Sequence, residues 1–475
     1  MTINEFKQRI CQELAHTPTD DQQRAVDTFA RFIADRHDNV TMIMSGAAGT
    51  GKTSLASAMV RTMRNLKQKM ILLAPTGRAA KVLARNAGMP AYTIHRKIYR
   101  ERTYSGPGGS FDININLHAD TLFIIDESSM ISNCGDGTFG TGCLLDDLVT
   151  YVYGGRNCRM MLIGDKSQLP PVGESESPAL SPAALEAYGL IVYHTSLGEV
   201  VRQEAQSGIL YNATAIRQLQ AGCQSAILPK ITVSRFADVI VVSGEDLVES
   251  IASSYSHAGI DDTIVITRSN KRANIYNMGI RNQVLFLEER LCREDQLMVV
   301  RNNYLVTAGL NDPTAPPFMA NGDRCRILRI KGIRELYGFE FADARLQFPD
   351  YDGFELQATV LLDTLASDAP ALTREQQNAL FNEVMADYAD IPRKADRMEK
   401  LRNDRHYNAL QIKYAYAVTC HKAQGGQWAH VYLDQGYMTD ETLTDDYFHW
   451  LYTAFTRATE KLFLVNWPQL QINGE

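Results

Sequence analysis

The sequence contains no C-x-x-C pair among its eight cysteines and no long apolar run. A bilayer-spanning helix needs roughly 18 or more apolar residues, so we expect no such helix in this chain. The N-terminus has no basic start followed by an apolar block, so we expect no secretory signal and a cytoplasmic protein. The scattered cysteines predict reduced thiols. Cys134 and Cys143 flank a glycine-rich loop and could meet, although no further zinc ligands lie near them.

Acidic residues outnumber basic ones by 55 to 48, so the net charge is −7, and the isoelectric point is near 5.9. This balance argues against indiscriminate coating of nucleic acid. It does not exclude a basic channel within an acidic protein. The length of 475 residues predicts about three domains, and a hydrophobic content of 45% is sufficient for real cores.

A phosphate-loop pattern, G-x-x-x-x-G-K-[ST], lies near the N-terminus between a predicted strand and a predicted helix. Its residues are Gly46, Ala47, Ala48, Gly49, Thr50, Gly51, Lys52 and Thr53. Backbone N–H groups of such a loop bind phosphate oxygens, Lys52 can reach the β- and γ-phosphates, and Thr53 can hold Mg²⁺. The loop predicts binding of ATP or GTP, and it leaves open what the nucleotide drives.

Short apolar runs alternate with helical patterns over the first 200 residues. The strand candidates are Val40–Met44, Met70–Leu73, Thr121–Ile125, Met160–Ile163 and Leu190–Tyr193. This alternation predicts an α/β fold with a parallel sheet covered on both faces. Ligands of such sheets bind beyond the carboxyl ends of the strands.

Two of these strand ends carry residues suited to ATP hydrolysis. Asp126 is placed to hold Mg²⁺ through water, and Glu127 can act as general base on the attacking water. In the segment Gly164–Gly173, Gln168 offers a neutral amide that can sense the γ-phosphate. An Asp-Glu pair after a strand is common by chance, but its distance from the phosphate loop favours the functional interpretation.

Several motifs occur in the order that superfamily 1 helicases of the RecD/Dda type show, and together they resemble that family from about residue 17 to 465. They are the phosphate loop, Ala74–Ala80, Asp126–Met130, Gly164–Gly173, Val201–Gln203, Thr267–Asn270, Tyr416–Gly426 and Tyr452–Ala458. The resemblance implies two RecA-like motor domains and ATP as the nucleotide. A GTPase would need a guanine-reading N-K-x-D motif, and the sequence has none.

The resemblance implies further roles around ATP. Gln22 corresponds to the adenine-reading glutamine, although Pro18 stands where the family usually has leucine. Arg202 and Arg457 correspond to two arginine fingers, which stabilise transition-state charge. Gln424 and Gly425 correspond to the segment that senses closure of the cleft between the motor domains.

For DNA, the residues that correspond to the single-strand track are Pro75, Thr76, His95, Thr419 and His421. A projecting hairpin predicted at about 100–120 resembles the insertion that carries a duplex-splitting pin, with Tyr104 and Phe111 as aromatic candidates. An irregular surface loop is the alternative for the hairpin. Packed, non-binding imidazoles are the alternative for His95 and His421.

The resemblance also divides the chain. We expect motor domain 1 at 1–205, motor domain 2 at 206–323 together with 407–475, and an inserted Src-homology-3-like β domain at 324–406. A charged helical stretch at 373–403, within the insert, has no counterpart in the family.

These features together predict an ATP- and Mg²⁺-dependent DNA helicase that moves on single strands and unwinds forks, in replication, repair or recombination. The resemblance implies that it moves in the 5′-to-3′ direction. We expect a monomer with no membrane partner, which could have a protein partner in replication or repair. The alternatives are an ATPase subunit that needs a partner to unwind DNA, and an RNA helicase.

Overall fold

The structure is a computed structural model. It describes residues 2–101, 111–134, 140–199, 207–222, 228–303, 305–307, 310, 315–316, 318–438 and 443–473.

The N-terminal part of the chain forms a parallel sheet in the order β3–β2–β6–β7–β1–β8, covered by helices. Its elements are α1 Ile3–Gln12, α2 Asp20–Ala34, β1 Val40–Gly46, α3 Lys52–Asn65, β2 Lys69–Ala74, α4 Gly77–Ala87, β3 Ala91–Thr93, α5 Ile94–Ile98, β4 Tyr99–Glu101, β5 Phe111–Ile113, β6 Thr121–Ile125, α6 Leu144–Tyr153, β7 Arg159–Gly164, α7 Pro182–Glu186 and β8 Ile191–Leu197. This sheet confirms the predicted α/β fold.

Strand β1 shows why the sheet needs helices on both faces. All seven of its residues are buried. Successive side chains of a strand point to opposite faces. Met42 and Met44 accordingly enter the core cluster on one face, while Ile43 enters the cluster on the other. The strand is therefore held between β7 and β8 and covered on both faces, and the phosphate loop follows at its carboxyl end.

The C-terminal part forms a second parallel sheet, in the order β10–β19–β18–β11–β17. The elements after residue 206 are α8 Gly208–Ala221, β9 Ile231–Thr232, β10 Val239–Val242, α9 Leu247–His257, β11 Thr263–Thr267, α10 Asn270–Gly279, β12 Gln296–Val299, β13 Arg324–Leu336, β14 Phe339–Phe348, β15 Phe354–Leu361, α11 Arg374–Ala386, α12 Lys394–Asn403, β16 Leu410–Tyr414, β17 Ala417–Thr419, α13 Cys420–Ala423, β18 Trp428–Asp434, α14 Asp445–Phe455, β19 Ala458–Val465 and β20 Ile472–Asn473. Two RecA-like sheets are thus present, as predicted.

Strands β12 to β16 close into a small barrel between β11 and β17. The predicted insert at 324–406 includes β13 to β15, but the barrel also takes in β12 and β16. The sequence conceals this difference because β16 continues through Ala415 and Tyr416 directly into β17, without a polar break. The single apolar segment at 410–419 therefore contributes a strand to the barrel and then a strand to the second sheet.

The charged stretch at 373–403 forms helices α11 and α12, which pack against one end of the barrel. Thr373 caps α11 through a capping box with Gln376. Leu380 and Val384 of α11 are buried with Leu401 of α12 in the same cluster as barrel residues of β14 and β15. The helices therefore cover an apolar end of the barrel, while most of their charged side chains remain in water.

A buried ion pair joins the base of the barrel to the second sheet. Arg281 donates two hydrogen bonds to Asp295, at 2.9 and 3.0 Å, and both side chains are essentially inaccessible to solvent. Asp295 also accepts hydrogen bonds from the Tyr416 hydroxyl at 2.9 Å and the Cys292 backbone N–H at 2.7 Å. Every partner holds the carboxylate charge in place, so removal of the guanidinium would leave a buried charge without its counter-ion.

Replacement of Arg281 by methionine should lower the stability of the folded chain by about 3–5 kcal/mol, because Asp295 keeps its burial and loses its counter-charge. Urea unfolding followed by intrinsic fluorescence measures the effect. The control is Lys7→Met, which breaks an exposed ion pair with Asp27 and should cost no more than about 1 kcal/mol. Equal midpoints for the two variants would contradict the assigned role of the buried pair.

Candidate functional site: a cleft between two sheets

The phosphate loop connects β1 to α3 in a tight backbone turn. Gly49 and Gly51 adopt positive φ angles of 74° and 78°, which favour glycine. A Cβ atom on Gly46 would lie 2.9 Å from Leu197 Cβ and 3.0 Å from Lys52 Cγ. The glycines are therefore required by geometry: they let the backbone wind closely around the start of α3.

Lys52 folds back over this loop. Its Nζ donates to the Ala47 carbonyl at 2.7 Å and lies 3.8 Å from Asp165 Oδ2. The side chain is mostly buried, so its charge acts where water screens it weakly. The ammonium group is thus held at the mouth of the loop by one carbonyl and one carboxylate, both of which a phosphate oxygen could replace.

Asp126 and Glu127 stand at the carboxyl end of β6, beside the loop. Burial, then the neighbouring Glu127 carboxylate, raises the pKa of Asp126 to about 7. The Glu127 N–H donates to Asp126 Oδ1 at 2.9 Å, and Glu127 has a φ of 51°. A non-glycine residue in the left-handed region carries backbone strain, a feature that often marks functional sites. Two crowded carboxylates near Thr53 form a donor set suited to Mg²⁺.

Gln168 enters the same region from the loop after β7. Its side chain is buried, and its amide oxygen has no hydrogen-bond partner within the described chain. Leaving a buried carbonyl unpaired costs about 1–3 kcal/mol. Such a group is suited to a partner that arrives with a ligand, such as water or a hydrated nucleotide.

Arg457 approaches from the second sheet, just after α14. Its guanidinium donates to the carbonyls of Thr453 and Gly426, each at 3.0 Å, and to the Thr456 hydroxyl at 3.1 Å. The residue is 2% exposed. These three bonds fix the position of the charge on the wall of the cleft. Arg202, the other predicted finger, lies outside the described residues.

These groups line one cleft of about 560 Å³ between the two sheets. The predicted residues that line it are Ala47, Ala48, Gly49, Gly51, Lys52, Thr53, Asp126, Glu127, Gln168, Gly425 and Arg457. The structure thus brings together carboxylates, a lysine and an arginine that are separated by up to about 400 residues in the sequence.

Gln22 and Gln424 sit behind the cleft instead of lining it. The Gln22 amide nitrogen donates to the Thr50 carbonyl at 3.1 Å, and its oxygen accepts the Thr19 N–H at 3.2 Å. Gln424 donates to the Leu169 carbonyl at 2.7 Å. In this structure Gln22 supports the phosphate loop, and its adenine-reading role remains a prediction.

Sequence reasoning missed a seam of hydrogen bonds between α14 and the first sheet. Tyr452 contacts both Asp165 and Ala48, Thr453 Oγ1 accepts the Leu169 N–H at 2.7 Å, and His449 donates to the Gln168 carbonyl at 2.9 Å. Residues 449, 452 and 453 follow the spacing of one helix face. That periodicity, one to two turns ahead of Arg457, is the signal that could have revealed them.

The predicted DNA residues fall into two groups. Thr419 and His421 line a groove of about 600 Å³ on the second sheet, together with Arg268, Lys413 and Lys422. On the first sheet, Pro75 precedes Thr76, whose hydroxyl caps α4 by accepting the Ala79 N–H at 3.2 Å. A Cβ atom on Gly77, the first residue of α4, would lie 3.2 Å from the Tyr351 hydroxyl, so the tip of the barrel covers this helix end.

His95 lies between aromatic rings, with centroids 5.6 Å from Tyr99 and 6.2 Å from Phe318. Burial lowers the pKa of His95 to about 4. The imidazole is therefore neutral at physiological pH and carries no charge for a phosphate. This environment matches the packed-histidine alternative more closely than a charged phosphate contact.

Phe111 belongs to the base of the predicted hairpin, where β5 pairs antiparallel with β4. Its ring is 7% exposed and packs against Phe318, with centroids 6.3 Å apart. A ring buried in this way cannot stack on a base pair. The structure therefore contradicts the assignment of Phe111 as the pin residue. The alternation of a three-residue strand, which turns Phe111 inward, was too short to recognise in the sequence. Tyr104 lies outside the described residues.

Two lysines that line the groove on the second sheet, Lys413 and Lys422, are partly removed from water, which disfavours their charged forms. Burial lowers the pKa of Lys413 to about 8, and burial together with Lys413 lowers the pKa of Lys422 to about 8. Lys413 donates to the Ser367 carbonyl, and Lys422 donates to the Asn321 side chain. Neither bond supplies a negative charge, so an anion in the groove would stabilise both ammonium groups.

Parts of the chain are similar to known proteins. A family model described as an AAA domain matches residues 17–230, and one described as a UvrD-like helicase C-terminal domain matches residues 414–465. The ATP-dependent RecD2 DNA helicase of Deinococcus radiodurans is 33% identical over 172 residues, which are 36% of this chain and 21% of that protein. The multifunctional conjugation protein TraI of Escherichia coli is 29% identical over 135 residues, 28% of this chain and 7% of that protein.

The chain therefore spans about a fifth of the length of the RecD2 relative. Among solved structures, the Pif1 helicase from Bacteroides in complex with ADP-AlF3 and ssDNA is similar over 97% of this chain and 95% of its own, with 15% identity and a TM-score of 0.46. The Pif1 helicase from Candida albicans is similar over 96% of both chains, with 16% identity and a TM-score of 0.39. The predicted resemblance to superfamily 1 helicases of the RecD type is confirmed by the two family models and the RecD2 relative.

In the described part of the chain, every helix is too short or too polar to cross a membrane.

Replacement of Lys413 by methionine should raise the stability of the folded chain at pH 7 by about 1–2 kcal/mol, because it removes a buried charge. The folded pKa of about 8 lies below the ordinary value of about 10.4. The penalty is therefore complete below pH 8, and it disappears as the pH rises towards about 10.4, where the unfolded chain also loses the proton. Urea midpoints at pH 7 and pH 10 measure this change.

The control for this prediction is Lys271→Met, an exposed lysine that lines the same groove. Its stability effect should be close to zero at both pH values. A Lys413→Met variant that is less stable than the parent protein at pH 7 would show that the hydrogen bond to Ser367 outweighs the burial of the charge.

Proposed function

We propose that this protein is an ATP-dependent DNA helicase that moves 5′ to 3′ along a single strand and separates the duplex ahead of it. One observation carries the proposal: Arg457 of the second sheet lines the same cleft as Lys52, Asp126 and Glu127 of the first. A nucleotide pocket built from both sheets makes hydrolysis depend on their separation. A phosphate-loop kinase or GTPase does not account for the part of the pocket that the second sheet contributes.

The residues of the cleft have distinct tasks in hydrolysis. Lys52 and the loop N–H groups bind the phosphates, while Glu127 accepts a proton from the attacking water. The new bond forms between that water oxygen and the γ-phosphorus, and the bond to the β–γ bridging oxygen breaks, which releases ADP and phosphate. Arg457, with Arg202 as second finger, stabilises the charge that develops on the transferred group.

Thr53 and Asp126 would hold Mg²⁺, which neutralises charge on the β- and γ-oxygens. The raised pKa of Asp126 fits this task, because a buried carboxylate crowded by Glu127 lacks a sufficient counter-charge in the chain itself.

The groove on the second sheet supports the DNA part of the proposal. Thr419, His421 and Lys422 lie together there, and Arg268 lines the same surface. Hydroxyls, lysines and arginines bind phosphates without reading bases. Thr76 at the start of α4 supplies a second grip, on the first sheet. When the cleft between the sheets opens and closes, the distance between the two grips changes, and this change moves the strand.

Two alternatives share the same cleft. A subunit of a larger repair complex would hydrolyse ATP and need a partner to unwind DNA, and an RNA helicase would use the same phosphate contacts. The similarity of part of the chain to the RecD2 DNA helicase favours DNA. We further propose that the protein acts as a cytoplasmic monomer in replication, repair or recombination.

The direction of movement is tested with duplexes that carry either a 5′ or a 3′ single-stranded tail. The purified protein with ATP and Mg²⁺ should unwind the 5′-tailed duplex and leave the 3′-tailed one intact.

Lys52→Ala should lower both unwinding and DNA-stimulated ATP hydrolysis by about a hundredfold or more, because the phosphates lose their cation. Lys230→Ala, an exposed lysine remote from the cleft, serves as the matched control.

A preference for the 3′ tail would overturn the polarity. DNA-stimulated ATPase activity without unwinding would favour the partner-dependent subunit, and stimulation by RNA alone would favour an RNA helicase. Full ATPase activity of Lys52→Ala would contradict the proposed hydrolytic site itself.

A further inference from the structure

Tyr452 of α14 is buried at the boundary between the two sheets, with 1% of its surface exposed. Its hydroxyl donates to Asp165 Oδ2 at 2.6 Å and accepts the backbone N–H of Ala48 at 2.8 Å. Ala48 is a phosphate-loop residue, and Tyr452 comes from the other motor domain. One hydroxyl therefore connects the loop, the segment after β7 and the helix that leads to Arg457.

In this structure, groups of the phosphate loop that could bind a phosphate form hydrogen bonds with other parts of the protein instead. The Lys52 ammonium bonds to the Ala47 carbonyl and lies 3.8 Å from the same Asp165 oxygen that accepts from Tyr452. The Ala48 N–H, one of the donors that a phosphate loop turns towards an anion, is taken by the Tyr452 hydroxyl. A bound triphosphate brings oxygens that compete for both groups.

We infer that the Tyr452 hydroxyl is a latch that competes with the nucleotide phosphates for the Ala48 N–H and so reports occupancy of the loop to α14. When a phosphate oxygen accepts the Ala48 N–H, Tyr452 keeps only its bond to Asp165. Helix α14 then loses its direct hydrogen bond to the phosphate loop, while its bonds to the segment after β7 remain. Thr456 and Arg457 follow this helix directly and line the cleft, so the position of the finger depends on the state of the latch.

This inference rests on the proposed function, since it requires a nucleotide in the loop. It makes Tyr452 a positioning residue, because the hydroxyl is displaced by the phosphates and stabilises no reacting atom. A purely structural role would instead require only that the buried hydroxyl be hydrogen-bonded, whichever partner it has.

The test compares Tyr452→Phe with Tyr447→Phe, a matched control on the same helix. Tyr447 is also 1% exposed, and its hydroxyl donates to Gln435 at 2.8 Å, away from the phosphate loop. Each full-length variant is titrated with fluorescent ADP and with a non-hydrolysable ATP analogue in the presence of Mg²⁺. The kcat and KM of DNA-stimulated hydrolysis are measured alongside.

Tyr452→Phe should bind both nucleotides about five- to tenfold more tightly, the factor that corresponds to one ordinary hydrogen bond no longer competing. Its KM should fall, and its kcat should fall several-fold because α14 no longer senses the loop. Tyr447→Phe should leave nucleotide affinity unchanged. Unchanged or weaker affinity of Tyr452→Phe would overturn the latch, as would equal effects in both variants.

Thermal melting without nucleotide confirms that both variants are folded. If Tyr452→Phe fails to fold, hydrogen exchange of the α14 amides in the parent protein, with and without the ATP analogue, takes its place. Faster exchange on binding is expected, and unchanged or slower exchange would overturn the latch. If the parent protein fails to bind nucleotide, the proposed function is overturned. If the parent protein binds nucleotide and Tyr452→Phe binds it with the same affinity, only the latch is overturned.

Discussion

The contact between α14 and the loop after β7 is the constraint on which the proposed motor depends. Tyr452, Thr453 and His449 all bond to atoms of that loop, and the loop itself carries Gln168 into the nucleotide cleft. These are short, directional bonds between two separately built sheets. Because backbone and side-chain hydrogen bonds tolerate little misalignment, a small rotation of one sheet must break several of them together.

The barrel contacts both sheets, but through interactions of different strength. The barrel is tied to the second sheet by the buried Arg281–Asp295 pair, and its tip touches α4 of the first sheet through Pro349, whose carbonyl accepts from Lys81 at 2.6 Å. One side of the insert is thus fixed by a deeply buried charge pair, while the other side rests on an exposed contact. We expect the exposed contact to break first when the sheets move, because single exposed bonds contribute little stability.

Much of this arrangement follows from the sequence, for identifiable reasons. The phosphate loop and Asp126 could be placed because glycine geometry and strand-end carboxylates leave strong local signals. The boundary of the barrel could not be placed from the sequence, because β16 runs into β17 without a polar break. The resemblance places His95 at the DNA through its motif and Phe111 there as the flank of a turn-rich hairpin. Packing against Phe318, a residue more than 200 positions later, instead sets the environment of both. Long-range packing of this kind has no local signature.

The central claim is that the two sheets share one ATP site, and Arg457→Lys tests it most directly. In the variant, MgATP binding should remain within a few-fold of the parent protein, while DNA-stimulated hydrolysis should fall by about 10³-fold, as for the loss of an arginine finger. Thermal melting verifies that the buried lysine is tolerated. Hydrolysis within tenfold of the parent protein, in a folded variant, would contradict the account, because Arg457 would then be only a structural residue of the second sheet.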